Sequence, residues 1–460
     1  MTFQSLGLAA ELLNAVEQTG YTVPTPVQML AIPAAIAGQD LLVSSHTGSG
    51  KTAAFTLPAL QKIIDRRPTP GSGPRVLVLT PTRELAQQVE KAVQTYGKAL
   101  RWLNTACLVG GAPMFAQIKQ LQRQCDVVVA TPGRLLDHLN RRKIKLSDVE
   151  VLILDEADRM LDMGFYADIT TVVEQCPEQR QTLLFSATYP DDIDRLAKRF
   201  MREPQMVQVA AQHSAHKIEQ RWYEVPAKQK VDVVVQMLAH FRPESSIVFC
   251  NTKQQCRDVV TELQAQGISA LALFGELEQR ERDEVLVQFA NRSCSVLVAT
   301  DVAARGLDIA NLACVINVDV TPDAEVHIHR IGRTGRGDAE GLALNLVAMD
   351  EMPYVAKIEQ LQGRPSEWLE VAELTPAPGG PLLPPMMTIQ IIGGRKEKIR
   401  AGDVLGAMCA DFGYAKDQIG KISVNDFSTY VAVDRRIAAE ACAKLNNGRV
   451  KGKSVRARVL

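Results

Sequence analysis

The chain is poor in everything that staples or anchors a protein. Nine cysteines are scattered through 460 residues with no C-x-x-C pair, and neither they nor the seven histidines cluster at metal-ligand spacing. That pattern speaks against a disulfide framework or a zinc site, and reduced thiols in a cytosol are expected. No apolar run approaches the roughly 20 residues of a membrane span, and no basic-then-apolar stretch opens the chain. The expectation is a cytoplasmic protein with no membrane partner. Net charge is missing as well, with 52 Lys+Arg against 52 Asp+Glu. That balance hides a split. Met387–Leu460 holds 14 basic and 7 acidic residues, leaving 38 against 45 elsewhere, and the stretch from Ala441 onward carries six basic groups and no acidic one. A basic tail on an acidic body suggests a polyanion partner for the tail, although a charge run by itself is more often a solvated face.

What is present is strand-helix alternation. "DLLVSS", "RVLVLT", "DVVVAT", "VEVLILD" and "QTLLFSAT" read as buried parallel strands, separated by stretches with apolar residues near helical spacing. The pattern loosens around Val209–Ile218. A second series then follows: "SSIVFCNT", "ALALFG", "SVLVATD", "ACVINVDV" and "GLALNLVAM". Two doubly wound α/β domains are expected, over residues 1–210 and 216–370. Residues 371–386, rich in Pro and Gly, read as an extended linker. Residues 387–460 run β-α-β-β-α-β, a ferredoxin-like order shared with the RNA-recognition motif.

Ligands of doubly wound sheets bind beyond the carboxyl ends of the strands. "HTGSGKT", "TPTRE", "ATPGR", "DEAD" and "SAT" all fall at such ends. In the first of these, Gly48 and Gly50 turn backbone N–H groups toward phosphates, Lys51 reaches the outer phosphates, and Thr52 is a Mg²⁺ ligand. By itself the loop could be a glycine-rich turn, since Ser45 stands where the general pattern opens with glycine. Asp155-Glu156 is the second witness. A carboxylate at a strand end beside a phosphate loop holds Mg²⁺, and its neighbour orients or deprotonates water. Arg330, Arg333 and Arg336, three residues apart, are candidate arginine fingers for the transferring phosphoryl group.

In this order the motifs closely resemble those of the DEAD-box RNA helicases. The literal "DEAD" stands at Asp155–Asp158. "GYTVPTPVQ" (Gly20–Gln28) resembles the adenine-reading segment, with Phe3 as its isolated upstream aromatic. The phosphate loop of this family opens with a small residue, usually Ala, so Ser45 is a mild departure. "PTREL", Gly110-Gly111, "TPGR", "SAT", "VFCNT", "ATDVAARGLDI" and "HRIGRTGR" match the remaining motifs, and the resemblance spans roughly residues 1–370.

The resemblance implies two tandem RecA-like domains followed by the small RRM-type domain, with ATP and Mg²⁺ as cofactors. Gln28 would read the adenine edge, with Tyr21 or Phe3 on the ring. Ser45, His46, Thr47, Gly48, Ser49, Gly50, Lys51 and Thr52 would hold phosphates, and Asp308 the ribose. Thr52 and Asp155 would hold the metal, Glu156 would activate water, and Arg333 and Arg336 would reach the γ-phosphate. Arg83, Gly111, Thr131, Gly133, Arg134, Thr252, Thr300, Arg305 and Gly306 would touch RNA backbone, which explains RNA preference without sequence preference. The tail, with "GDVLGA" and "GKI", is similar to that of a bacterial group within the family. Members of that group bind a hairpin of large-subunit ribosomal RNA and act on pre-ribosomal particles. "IQIIGG" lacks the first stacking aromatic, and Phe427 and Tyr430 are off the usual spacing. The tail's RNA contacts are therefore expected from Lys451, Lys453, Arg456, Arg458 and the loops. On this reading ATP and RNA close the two domains, a short duplex opens locally, and the tethered tail raises the local concentration of the core near its target. An ATP-gated RNA clamp and a DNA helicase are the rival readings.

Overall fold

The structure, a computed structural model, describes residues 2–45, 49–66, 71–186, 191–209, 218–304, 312–335 and 340–460. The chain divides into two compact units, separating near residue 213.

In the first unit the strands are β1 (Leu41–Ser44), β2 (Val76–Leu79), β3 (Thr105–Leu108), β4 (Val127–Ala130), β5 (Val151–Leu154), β6 (Gln181–Ser186) and β7 (Gln205–Gln208). Among the described residues they form one parallel sheet in the order β3-β4-β2-β5-β6-β1-β7. Alternate residues of a strand point to opposite faces. Val76, Val78, Val127, Val129, Val151 and Ile153 feed one core, while Leu77, Leu79, Val128, Ala130, Leu152 and Leu154 feed the other. Burial on both faces is why these strands read as unbroken apolar runs.

The second unit repeats the plan. Its strands are β8 (Ile218–Glu224), β9 (Ser246–Phe249), β10 (Ala270–Leu273), β11 (Val296–Ala299), β12 (Cys314–Asn317) and β13 (Gly341–Val347), parallel, in the order β10-β11-β9-β12-β13-β8. The same unit carries the small antiparallel sheet of β14 (Met386–Ile392), β15 (Ile419–Val424), β16 (Ser428–Asp434) and β17 (Arg456–Val459), ordered β15-β16-β14-β17. Helices Ala401–Gly406 and Ala438–Asn447 accompany it; Val404, Ala441 and Leu445 pack with Ile389, Ile391, Val431 and Val433 in a separate core.

The other face of that small sheet is also covered. Thr388, Gln390 and Tyr430 lie on it and are buried. Asn291 Nδ2 donates to Thr388 Oγ1 at 3.1 Å, and Ser293 Oγ shares a 2.7 Å hydrogen bond with the same oxygen. Gln390 Nε2 donates to Tyr430 Oη at 3.2 Å and to Glu284 Oε1 at 3.4 Å. The partners Glu284, Asn291 and Ser293 belong to helix Gln279–Ala290 and the turn after it.

The Pro/Gly-rich stretch expected as an extended linker begins with a 3-10 turn at Val371–Glu373 and is bonded to the end of helix Lys230–Phe241. Ala377 N–H donates to Ala239 O at 3.0 Å, His240 Nδ1 lies 2.7 Å from Thr375 O, and Arg242 Nη2 donates to Gly380 O at 2.8 Å. Leu374 is buried in the core of the second sheet. A Pro-rich segment has few N–H groups for a ladder, but its carbonyls are good acceptors. His240 and Arg242 take them at the end of helix Lys230–Phe241. No helix among the described residues is long and apolar enough to cross a membrane.

Candidate active site and RNA-facing loops

In the first unit β1 runs into the buried Ser45, whose N–H donates to Ser186 O at 3.2 Å. Ser49 Oγ donates to Ser45 Oγ at 3.2 Å, so the hydroxyl that distinguishes Ser45 from alanine braces the loop it opens. Gly50 has φ +92°, a left-handed conformation that favours glycine. A Cβ there would lie 2.4 Å from Gln28 Nε2. Gln28 fills that space on purpose of geometry: Nε2 donates to Gly50 O at 3.1 Å, and Oε1 accepts from Thr25 N–H at 3.0 Å. One N–H and one lone pair of the amide stay available. That pair matches the N7 acceptor and N6 donor of an adenine edge. Of the two expected adenine-facing rings, Phe3 is buried in the core of this unit, whereas Tyr21 is about half exposed (48%).

Lys51 opens helix Lys51–Asp65 and is buried, with half-buried Thr52 beside it. Among the described residues, Lys51 Nζ and Asp155 Oδ1 are buried atoms without a hydrogen-bond partner. Burial pushes the Asp155 carboxyl well above the usual carboxylate range, the Glu156 charge adds to that, and Lys51 pulls it back. Unpaired buried charges are costly, and a site that keeps both is one that expects ligands of both signs. An anionic phosphate fits the ammonium, and a cation fits the carboxylate. Glu156 adopts φ +52°, a strained conformation for a residue with a side chain, and Arg159 Nη1 holds its Oε2 at 2.7 Å in a buried ion pair. His46, Thr47 and Gly48 lie outside the described residues.

The RNA-backbone candidates of this unit come together at the ends of β2, β3 and β4. Thr131 N–H donates to Leu108 O at 3.1 Å, and Thr131 is the N-cap of helix Pro132–Asn140, which presents Gly133 and Arg134 in its first turn. Arg134 Nη1 donates to Ala112 O at 2.9 Å. Arg83, first residue of helix Arg83–Tyr96, packs on Gly110, where a Cβ would lie 3.3 Å from its Nη2. Gly111 follows with φ +75°. Two arginines thus hold one glycine loop from two helices.

In the second unit Thr252 is exposed and caps helix Lys253–Ala265, its Oγ1 accepting from Gln255 N–H at 3.2 Å. Thr300 precedes helix Asp301–Ala304, its N–H donating to Leu273 O at 3.3 Å. Arg333 is buried in the turn after helix Ala324–Ile331. Arg305, Gly306, Asp308 and Arg336 lie outside the described residues. Arg330 is a correction to the three-arginine reading. Its side chain is 1% exposed and forks onto Asp301 with two bonds of 2.7 Å. It also donates to Asp319 O at 2.7 Å and Asn251 Oδ1 at 2.9 Å. A guanidinium so occupied is internal structure, because three-residue spacing at the end of a helix places one arginine inward and the next beyond the last turn.

Three family patterns tile the chain: DEAD/DEAH box helicase over residues 25–196, helicase conserved C-terminal domain over 229–338, and DbpA RNA binding domain over 388–459. The chain is 44% identical over 453 residues to the ATP-dependent RNA helicase DbpA of Escherichia coli (strain K12), covering 98% of this chain and 97% of that one. The chain belongs to the DEAD-box family of ATP-dependent RNA helicases. The ATP-dependent RNA helicase CshA of Listeria monocytogenes is 43% identical, over 78% of this chain and 68% of its own length. Among solved structures, S. cerevisiae Dbp5 bound to RNA and ADP BeF3 matches with TM-score 0.73 and 30% identity, covering 80% of this chain and 96% of that one. This helicase is therefore an enzyme that uses ATP in an RNA-dependent reaction and carries a DbpA-type RNA-binding domain.

The tail residues chosen from charge alone separate in the structure. Lys451, Lys453 and Arg456 are exposed. Lys451 Nζ donates to Lys398 O and Lys453 Nζ to Glu397 O, each at 2.8 Å. Arg458, also exposed, donates to Gln390 Oε1 at 2.7 Å and pairs with Glu284 at 3.3 Å. Sequence reasoning missed Arg159 as the clamp on Glu156, though an (i, i+3) pair on a helix is a readable signal. It also missed the basic loop Arg395, Lys396 and Lys398, which the count of tail charges had contained unresolved.

Proposed function

We propose that this helicase opens short RNA duplexes locally and that its tail directs it to a hairpin of large-subunit ribosomal RNA, on pre-ribosomal particles in the cytoplasm. The observation that carries the catalytic half is the buried, unpartnered Lys51 after β1 and Asp155 at the end of β5, with Glu156 next to it. Lys51 takes charge from the outer phosphates. Thr52 and Asp155 are the residues that would hold Mg²⁺, whose chemistry is to neutralise phosphate charge. Glu156, held by Arg159, orients the attacking water and accepts its proton. Arg333 and Arg336 supply positive charge to the transferring phosphoryl group, and Asp308 takes the ribose. Gln28 and Tyr21 select adenine. The grouping of Arg83, Gly111, Thr131, Gly133 and Arg134 supports a grip on one strand in the first unit. Thr252, Thr300, Arg305 and Gly306 are the corresponding contacts of the second unit. Backbone held on a bent path does not fit a duplex, so a short helix loses a strand.

The test is steady-state ATPase activity with no RNA, with bulk ribosomal RNA and with an unrelated structured RNA, each repeated with Glu156→Gln, alongside strand displacement on a short duplex. Stimulation by ribosomal RNA above the unrelated RNA, abolished in the variant, is expected. Equal stimulation by every RNA removes the ribosomal target. ATPase without displacement removes unwinding and leaves a clamp.

A further inference from the structure

The small C-terminal sheet cannot offer its open face to RNA while Thr388, Gln390 and Tyr430 are buried against helix Gln279–Ala290 and its following turn. The exposed large apolar groups of the domain, Ile392 and Phe427, lie instead at one end of the sheet, together with part of its exposed basic groups. The loop Gly393–Arg400 is tied to the β15–β16 turn by four main-chain and side-chain bonds. Gly393 N–H donates to Phe427 O at 2.9 Å, Arg395 N–H to Asn425 O at 2.8 Å, Lys396 N–H to Asp426 O at 3.1 Å, and Thr429 Oγ1 to Gly393 O at 2.8 Å. The turn at Lys451–Lys453 closes on the same loop through the two lysine ammonium groups. Three loops are thus bonded into one end.

At its tip Phe427 is 61% exposed, as is Ile392 beside it on the next strand. Lys396 Nζ stands 4.0 Å from the Phe427 ring centroid. Arg395, Lys398, Arg400, Lys451 and Lys453 on the bonded loops, and Arg449 just before the last of them, are exposed. A large exposed ring in water is unfavourable by itself, and a cation over one face leaves the other as a flat apolar platform. A ring flanked by ammonium and guanidinium groups on pre-bonded loops is the arrangement that holds an unpaired base and the phosphates on either side of it.

We propose that this loop end is an RNA-binding site for an unpaired loop nucleotide, with Phe427 stacking on the base and the surrounding basic groups, Lys396 first among them, neutralising the flanking phosphates. The proposal rests on the reading that the tail selects a hairpin. It goes beyond the sequence reading, which gave the contacts to Lys451, Lys453, Arg456, Arg458 and the loops and assigned no ring. Lys451 and Lys453 remain in the site, partly as braces of its loops, while the exposed Arg458 is bonded to Gln390 and Glu284.

The full chain, without nucleotide, is titrated by fluorescence anisotropy with a fluorescein-labelled stem-loop cut from large-subunit ribosomal RNA and with the same stem closed as a blunt duplex, over a salt series. Phe427→Ala is expected to weaken stem-loop binding about 10-fold, within the range of one base–aromatic stack. It should leave duplex binding and the salt slope unchanged, and Phe427→Trp should restore affinity. Lys396→Gln is expected to lower the slope of log affinity against log salt by about 0.7–0.9, the loss of one phosphate contact. Wild-type stem-loop affinity in a folded Phe427→Ala chain overturns the site. So does equal weakening of stem-loop and duplex. If the unmodified chain does not distinguish the two RNAs, the hairpin reading itself falls and the site with it. A stem-loop carrying 5-iodouridine in its loop is expected to photocross-link to the peptide containing Phe427; cross-links confined to other peptides overturn the proposal.

Discussion

Replacing Arg330 by glutamine separates the two jobs that neighbouring arginines hold in "HRIGRTGR". Arg330 is buried, and its removal strands an Asp301 carboxylate whose side chain is only 22% exposed, together with the Asp319 carbonyl and the Asn251 amide oxygen. Breaking one side of a buried ion pair costs roughly 3–5 kcal/mol. Partial exposure of Asp301 lets water recover some of this, so about 3 kcal/mol is expected. For a unit of roughly 150–250 residues each kcal/mol moves Tm by about 2–4 °C, which gives a fall of about 6–12 °C. Calorimetry of the full chain should show this loss in the transition of the second unit. Arg330→Lys should fall between, because an ammonium keeps the charge and loses the fork. If Arg333 is the arginine finger proposed above, Arg333→Gln should lower kcat by about 10³-fold or more. An Arg330→Gln chain that melts within about 1 °C of the unmodified one refutes the reasoning, since no buried pair of this kind is lost so cheaply.

Gly50→Ala introduces a left-handed non-glycine residue at about 1–2 kcal/mol and drives its Cβ into the Gln28 amide. KM for ATP should rise and the preference for ATP over GTP in kcat/KM should fall; unchanged values count against the Gln28–Gly50 clasp. His327 is buried against Trp222, and burial first, then Arg330 and Arg364, pushes its pKa down to about 3. A folded pKa below the unfolded value of about 6.5 means full stabilisation above that pH and progressive loss as pH falls toward 3, about 2 kcal/mol by pH 5. Denaturant melts at pH 7 and pH 5 should show that loss in the unmodified chain and a flatter dependence in His327→Gln.

The central strands were legible because burial on both faces makes them continuous apolar runs, as in Val127–Ala130 and Val151–Leu154. The strands that the sequence reading passed over are β3, β7 and β8, all at sheet edges. β7 has a single buried residue, Val207, and β8 alternates buried and exposed positions, so neither presents a run. All six elements of the tail were readable, since each is bounded by Gly, Asn or Asp turns. The site was legible where chemistry depends on residue type at a strand end, as for Lys51 and Asp155-Glu156. It was not legible where a role depends on which way a side chain faces. Arg330 and Arg458 look like their neighbours in composition, and only partners far away in sequence, Asp301 for the buried Arg330 and Glu284 for the exposed Arg458, set them apart.

The bonds of Arg458 to Gln390 and Glu284 change how the tail acts. A domain on a flexible linker raises local concentration and leaves orientation open. Here the joint is a polar network, buried where Thr388 meets Asn291 and Ser293 and reaching the surface where Gln390 and Arg458 meet Glu284. Apolar surfaces tolerate sliding, whereas these hydrogen bonds form in one register and are lost in the next. The linker's carbonyl bonds to His240 and Arg242 act in the same direction. An RNA held at the loop end around Phe427 is then fixed in orientation relative to the second unit, and selection passes from proximity to geometry. The number of nucleotides between a tail-bound hairpin and the duplex to be opened becomes part of the specificity, which a tether would have left indifferent.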